Sequence, residues 1–90
     1  MLEQRVTVNN TLGLHARAAA QLVKTARTFR STIMLTNTRS GESANAKSIL
    51  SLLYIAASIG VDVLLTVEGE DEIAAMGAVE KLFVTGFGEL

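Results

Sequence analysis

The chain has no cysteine, no proline and no tryptophan, and it has one histidine. Without cysteine neither a disulfide framework nor a thiolate metal site is available, and one histidine excludes a histidine-cluster site. No metal or other cofactor is therefore expected. Aromatic residues amount to 4%, namely Phe29, Tyr54, Phe83 and Phe87, and none falls in an expected strand, which removes the base-stacking platform of an RNA-recognition sheet. No hydrophobic run is long enough for a bilayer, since Ile49 to Ile59 is short and broken by serine. The opening residues Met1-Leu2-Glu3-Gln4-Arg5 lack the basic patch and apolar run of a signal peptide. No charge sign dominates either: the net charge is −1, which argues against nucleic acid as the main ligand. These absences predict a soluble cytoplasmic protein with no membrane insertion.

What is present suffices for a core. At 49% hydrophobic and 19% charged over 90 residues, the chain lies outside the compositional range of disorder and is expected to form one domain over residues 1–90. The charges are unevenly placed. Seven of the 8 basic residues lie at or before Lys47, and seven of the 9 acidic ones at or after Asp62, so one surface should be basic and suited to acidic partners.

Residues 2–8 alternate, with Leu2, Gln4, Val6 and Val8 on one side, as a half-buried strand does. Asn9 to Leu14 reads as a loop with Gly13 as its flexible point. From Ala16 to about Thr28 the period is helical, with Ala19, Leu22, Val23 and Ala26 inward and Arg17, Ala20, Lys24 and Arg27 outward. Residues 31–37 predict a second strand, and a turn over Asn37 to Gly41 leads into a short third strand reaching about Ala44. A second helix should run from Lys47 or Ser48 to about Ser58, ended by Gly60, with Ile49, Leu52, Ala56 and Ile59 as its core side. Val61 to Val67 alternates as the last strand. Glu70-Asp71-Glu72 then opens a third helix with core stripe Ile73, Met76, Val79 and Phe83, its carboxylates suiting the positive helix end. The order βαββαβα predicts a two-layer α/β sandwich with four strands and helices on one face.

His15 is the nucleophile with a distinctive setting. It follows a glycine-containing loop and precedes a helix start near Ala16. The positive helix end disfavours the imidazolium and so keeps a ring nitrogen free to attack phosphorus. The unpaired amide hydrogens of the first turn, at Ala16 and Arg17, can bind phosphoryl oxygens, and the Arg17 guanidinium offers further donors. Phosphoryl transfer asks mainly for positioning and charge stabilisation, so so small a site can serve. The competing reading is an ordinary surface histidine beside a helix.

The string Gly13-Leu14-His15-Ala16-Arg17, followed by Ala19-Ala20, resembles the active-site motif of the HPr family, the histidine-containing phosphocarriers of the phosphoenolpyruvate-dependent phosphotransferase system. Asn45-Ala46-Lys47-Ser48-Ile49 resembles the segment that carries the family's regulatory serine, and the length, element order and Glu68-Gly69-Glu70-Asp71-Glu72 segment agree. The resemblance implies an HPr-like open-faced sandwich with an antiparallel sheet. It implies a phosphoryl carrier rather than an enzyme, accepting from enzyme I on Nδ1 of His15 and passing the group to a histidine of an enzyme IIA protein or domain. It also implies Ser48 as a phosphorylation site for an HPr kinase/phosphorylase, although serine at a helix start is also an ordinary cap and Leu50 and Ser51 stand where kinase-regulated members have methionine and glycine. Ala18 stands where the family has proline. The helix should tolerate this, and the substitution adds a backbone donor near the phosphate. Leu50, Tyr54 and Leu53 lie off the expected core stripe, and Arg17, Ala20, Lys24, Arg27, Leu50 and Leu53 form the expected docking surface.

The ending Phe83…Gly86-Phe87 and the apolar run Leu50 to Ile55 also resemble NPr, the nitrogen-branch relative that regulates metabolism. Two readings come from other classes: a small hydrolase of acyl phosphates on a related sandwich, and a regulatory binding module in which His15 is incidental. A monomer is expected, because a carrier presents one face to successive partners.

Overall fold

The computed structural model describes residues 1–55 and 57–89. Its elements follow the expected order: β1 (Leu2–Thr7), α1 (Ala16–Ala26), β2 (Thr32–Asn37), β3 (Ser43–Asn45), α2 (Ile49–Tyr54), β4 (Asp62–Glu68) and α3 (Glu72–Val84), followed by a 3₁₀ turn over Gly86–Gly88. The strands form one sheet in the order β1-β4-β2-β3, every pair antiparallel. In the register Leu2 faces Val67 and Val6 faces Val63 across β1 and β4, while Ile33 faces Val67 and Leu35 faces Leu65 across β2 and β4. Successive side chains of a strand alternate sides, so this register sends Val6, Ile33, Leu35, Val63, Leu65 and Val67 to one face, where all are buried. The three helices cover that face, and the buried side chains form one cluster.

Helix α1 separates its faces as the sequence predicts: Ala18, Ala19, Leu22 and Ala26 are buried, while Arg17, Ala20, Lys24 and Arg27 are exposed. It lies between α2 and α3, touching both.

Three expected core residues are exposed. Ile73 is 80% exposed, and the buried stripe of α3 is Ala75, Met76, Val79 and Phe83. The cause lies at the helix start. The Asp71 carboxylate accepts from Arg30 N (2.8 Å), Ser31 N (3.0 Å) and Ser31 Oγ (2.5 Å), which pins the first turn to the beginning of β2. With that rotation Ala75 faces the core, and Ile73, about 200° away around the helix, faces solvent. Ile49 and Ile59 are also exposed, at 39% and 52%. The buried residues of this region are Leu52 and Ile55, and α2 ends at Tyr54 rather than near Ser58. The chain beyond it is needed elsewhere: Ala57 O accepts from Leu14 N (2.8 Å) and Gly60 N donates to Val8 O (2.8 Å), bonds that a continued helix would forfeit. Ile59 therefore lies in the turn before β4. Ala56, also expected in the core, lies outside the described residues.

Among the described residues no helix is long and apolar enough to cross a membrane, and no group of three or more His, Cys, Asp or Glu side chains is placed to hold a metal ion.

Candidate functional site

The loop from Asn9 to Leu14 delivers His15 to the start of α1. Gly13 is a fixed turn in this loop, not a flexible point. It is buried, its φ is +66°, and a Cβ there would lie 2.6 Å from Ala57 O and 2.9 Å from Ser58 Cα. Only glycine combines that backbone with so close an approach. Gly13 N donates to Asn10 O (3.0 Å), and Asn10 Nδ2 donates to Gly13 O (2.7 Å), so the loop is closed on itself from both sides.

His15 is the N-cap of α1. Its backbone is extended, its carbonyl takes the first helical bond from Ala19 N (2.8 Å), and its ring nitrogen Nδ1 accepts from Arg17 N at 3.3 Å. The amides of Ala16, Arg17 and Ala18 precede that first bond, so they are the orphan donors every helix start leaves. Ala18 itself is fully buried against the core, where its methyl group packs in the first turn.

The other ring nitrogen is also engaged. Nε2 lies 2.6 Å from Glu89 Oε2, and Glu89 Oε1 accepts from Asn10 Nδ2 at 2.9 Å. The His15 and Glu89 side chains are 25% and 19% exposed. Hydrogen bonding from Asn10, followed by the His15 hydrogen bond and the nearby charges of His15 and Arg17, holds the Glu89 carboxyl below the usual glutamate range despite some desolvation. Asn10 is wholly buried, and its Oδ1 has no hydrogen-bond partner among the described residues.

Glu89 reaches the site because the chain folds back after α3. Gly86 and Phe87 have φ of 59° and 56°, both left-handed. The Phe87 ring is buried edge-to-face on Phe83 with centroids 5.0 Å apart, and Phe87 O accepts from Gln21 Nε2 (3.2 Å). Neither Glu89 nor Asn10 was singled out by the sequence reading. A glycine pair around an aromatic after the last helix signals such a return, but nothing local says where it ends.

The remaining expected residues divide. Leu53 shares a shallow cleft of about 290 Å³ with His15, Leu12, Leu14, Ala57 and Ser58, and Leu12, 68% exposed, adds an apolar residue the sequence reading omitted. Leu50 and Tyr54 stand out from α2 at 77% and 73% exposure. Lys24 lines a different cleft, of about 430 Å³, between α1 and α3. Arg27 is exposed but donates to Lys47 O (3.3 and 3.2 Å), and Lys47 Nζ donates to Phe29 O (2.9 Å). These bonds fasten the segment before α2 to the end of α1. Ser48 caps α2, accepting from Ser51 N at 3.4 Å, and is half-buried.

His15 is thus the N-cap of α1, with one ring nitrogen turned to the helix start and the other to Glu89. Residues 2–85 match the family described as the PTS HPr component phosphorylation site. The chain belongs to the HPr family. It is 46% identical to the phosphocarrier protein HPr of Xylella fastidiosa, over 99% of this chain and 98% of that protein. Identity to the phosphocarrier protein NPr of Proteus mirabilis is 37%, over 96% of this chain and 94% of the relative. The crystal structure of HPr-C-His from Thermoanaerobacter tengcongensis superposes with a TM-score of 0.93 at 39% identity, covering 100% of this chain and 99% of that one. The fold is thus the open-faced HPr sandwich, and the chain is a phosphocarrier of the HPr/NPr kind.

Proposed function

We propose that this phosphocarrier accepts a phosphoryl group from phosphorylated enzyme I on Nδ1 of His15 and passes it to a histidine of an enzyme IIA protein or domain. The observation that carries the reading is the direction of the ring. Nδ1 is turned to the start of α1 by the Arg17 amide, while Nε2 is occupied by Glu89. A phosphoryl group arriving on Nδ1 displaces the Arg17 N–H from the lone pair and offers it oxygens instead. The amides of Ala16 and Arg17 and the Arg17 guanidinium then bind those oxygens. The protein is both acceptor and donor in this scheme, so it works as a carrier and not as an enzyme.

Docking uses the exposed face of α1 (Ala20, Lys24, Arg27) and the apolar residues Leu50 and Leu53 of α2, together with Leu12, which is exposed and shares a cleft with Leu53. A basic helix beside exposed leucines suits a partner surface that is apolar at its centre and acidic around it. Ser48 is proposed as a regulatory site for an HPr kinase/phosphorylase. A phosphate there would place about two negative charges beside the docking surface and repel an acidic partner. The protein is taken to act in the cytoplasm as a monomer, in sugar uptake or its regulation, without nucleic acid or membrane insertion. The higher identity to HPr than to NPr favours the sugar branch over the nitrogen branch.

The test is incubation with enzyme I, magnesium and phosphoenolpyruvate, followed by intact-mass measurement of wild type and His15→Ala. The expected result is one phosphate on wild type alone, labile in acid and stable in base. An unlabelled wild type beside an active enzyme I from the same organism would leave the binding-module reading in its place.

A further inference from the structure

We infer that Glu89, aligned by Asn10, is a positioning residue that fixes the proton of His15 on Nε2 and stabilises the ring as it becomes cationic during transfer. The catalytic half of this inference rests on the carrier reading above; the proton-fixing half does not.

The hydrogen-bond chain at the site has a direction that its two ends impose. At one end the Gly13 carbonyl can only accept, so the Asn10 amide must turn its Nδ2 towards it (2.7 Å). The second hydrogen of that Nδ2 is then aimed at Glu89 Oε1 (2.9 Å). At the other end the Arg17 backbone N–H can only donate, so Nδ1 must present a lone pair (3.3 Å). A neutral imidazole has one proton, which is left for Nε2, and Nε2–H donates to Glu89 Oε2 at 2.6 Å. Every member is held in place. Asn10 is buried in a loop closed through Gly13. Glu89 is held by the left-handed turn at Gly86 and Phe87 and by the buried Phe87 ring. The carboxyl lies below the usual glutamate range, so it is ionised at neutral pH.

The chemistry follows. The Nδ1 lone pair forms the bond to phosphorus, the bond from phosphorus to the donor breaks, and its electron pair leaves with the donor. The ring gains a positive charge and keeps its Nε2 proton against the Glu89 carboxylate, which stabilises it as a buried carboxylate stabilises the imidazolium of an acyl-transfer triad. On donation the steps reverse, and the ring departs neutral with the same proton on the same nitrogen. Neither step requires the ring to gain or lose a proton. Glu89 is the charged group bonded to the ring, with the Arg17 charge acting on Glu89, and the cleft that the ring lines is shared with Leu12, Leu14, Leu53, Ala57 and Ser58.

Glu89→Gln gives a sharp test, because Asn10 dictates how the glutamine must sit. The Asn10 Nδ2 donor takes the glutamine carbonyl, which turns the glutamine NH₂ towards Nε2. Nε2 is then asked to accept while the Arg17 N–H still donates to Nδ1, so the single ring proton is no longer assigned to Nε2, and the share of rings with a free Nδ1 lone pair falls. The measurement is the ¹⁵N spectrum of the imidazole in wild type, Glu89→Gln and Glu89→Asp at neutral pH, followed by the rate of labelling by phosphorylated enzyme I. Wild type is expected as the Nε2–H tautomer and Glu89→Gln as a mixture with a raised share of Nδ1–H, with labelling slowed about tenfold by the changed tautomer and the lost carboxylate together. Glu89→Asp keeps a carboxylate and should recover the Nε2–H tautomer and part of the rate. An unchanged ¹⁵N pattern in Glu89→Gln would overturn the proton-fixing role, and an unchanged rate would overturn the catalytic one. If wild type itself is not labelled, the carrier reading fails and takes the catalytic role with it, while the ¹⁵N comparison still decides the proton.

Discussion

A methyl group on Gly13 would meet Ala57 O at 2.6 Å and Ser58 Cα at 2.9 Å, in a backbone with φ of +66°. Both facts oppose any side chain, and neither neighbour is the free end of a flexible group. Gly13→Ala should therefore destabilise the fold by about 1–3 kcal/mol. It should also shift His15, which follows two residues later on the same loop. Urea unfolding at neutral pH checks the first effect, and the rate of phosphoryl acceptance in the folded fraction checks the second. Loss of stability with an unchanged acceptance rate would mean that the loop relaxes without moving the ring. The placement of His15 and Arg17 was legible in the sequence because it is local: a histidine just before a helical period, then an arginine within its first turn. Glu89 was not legible, since it lies 74 residues from His15 in the chain. Asn10 was read as loop composition, and its burial depends on contacts with the loop's own carbonyls and the distant carboxylate.

Helix α3 carries Gly77 in its interior at a position where an added Cβ meets nothing within 4 Å. A helical glycine costs roughly 0.5–1 kcal/mol relative to alanine, and no internal contact requires it here. Gly77→Ala is expected to stabilise the protein by about that amount, read as a higher denaturant midpoint with an unchanged slope. A decrease would show that the backbone of α3 bends at this point. The same helix shows why element order is easier to read than facing. Strand and helix periods follow one another along the chain, and their boundaries fell within one or two residues except at the end of α2. The inward stripe of α3 was ambiguous because the helix is apolar nearly all round, so Ile73 and Ala75 competed for one core position. Hydrophobicity favours isoleucine; the bonds from Arg30 and Ser31 to Asp71 decide for alanine. The early end of α2 has the same kind of cause, a bond from Leu14 N to Ala57 O that no local pattern announces.

For the molecule as a whole, Asp71 joins parts of the chain that are 40 and 41 residues apart. It fastens the last helix to the central region of the sheet, because β2 lies between β4 and β3. The Ser31 hydroxyl, and then the Arg30 and Ser31 amides, hold its carboxyl below the usual aspartate range against a smaller desolvation effect. A carboxyl whose folded value is depressed contributes stability that is complete above its unfolded value, about 3.9, and is lost as pH falls through the folded value. Glu72 and Glu89 are shifted in the same direction, Glu72 first through the Gly69 amide, so the whole protein should lose stability on acidification below about pH 4. Asp71→Asn separates one contribution from the rest. An asparagine keeps one acceptor oxygen but turns its NH₂ towards a backbone N–H, so the variant should melt lower than wild type at neutral pH. As pH falls through the acid window, wild type gives up what the variant has already lost, and the two melting temperatures should converge. Melting curves of both proteins from pH 7 to pH 2 measure this directly. A constant gap over that range would mean that Asp71 acts through its shape and hydrogen-bond geometry rather than its charge, and that acid stability is set by the other two carboxylates.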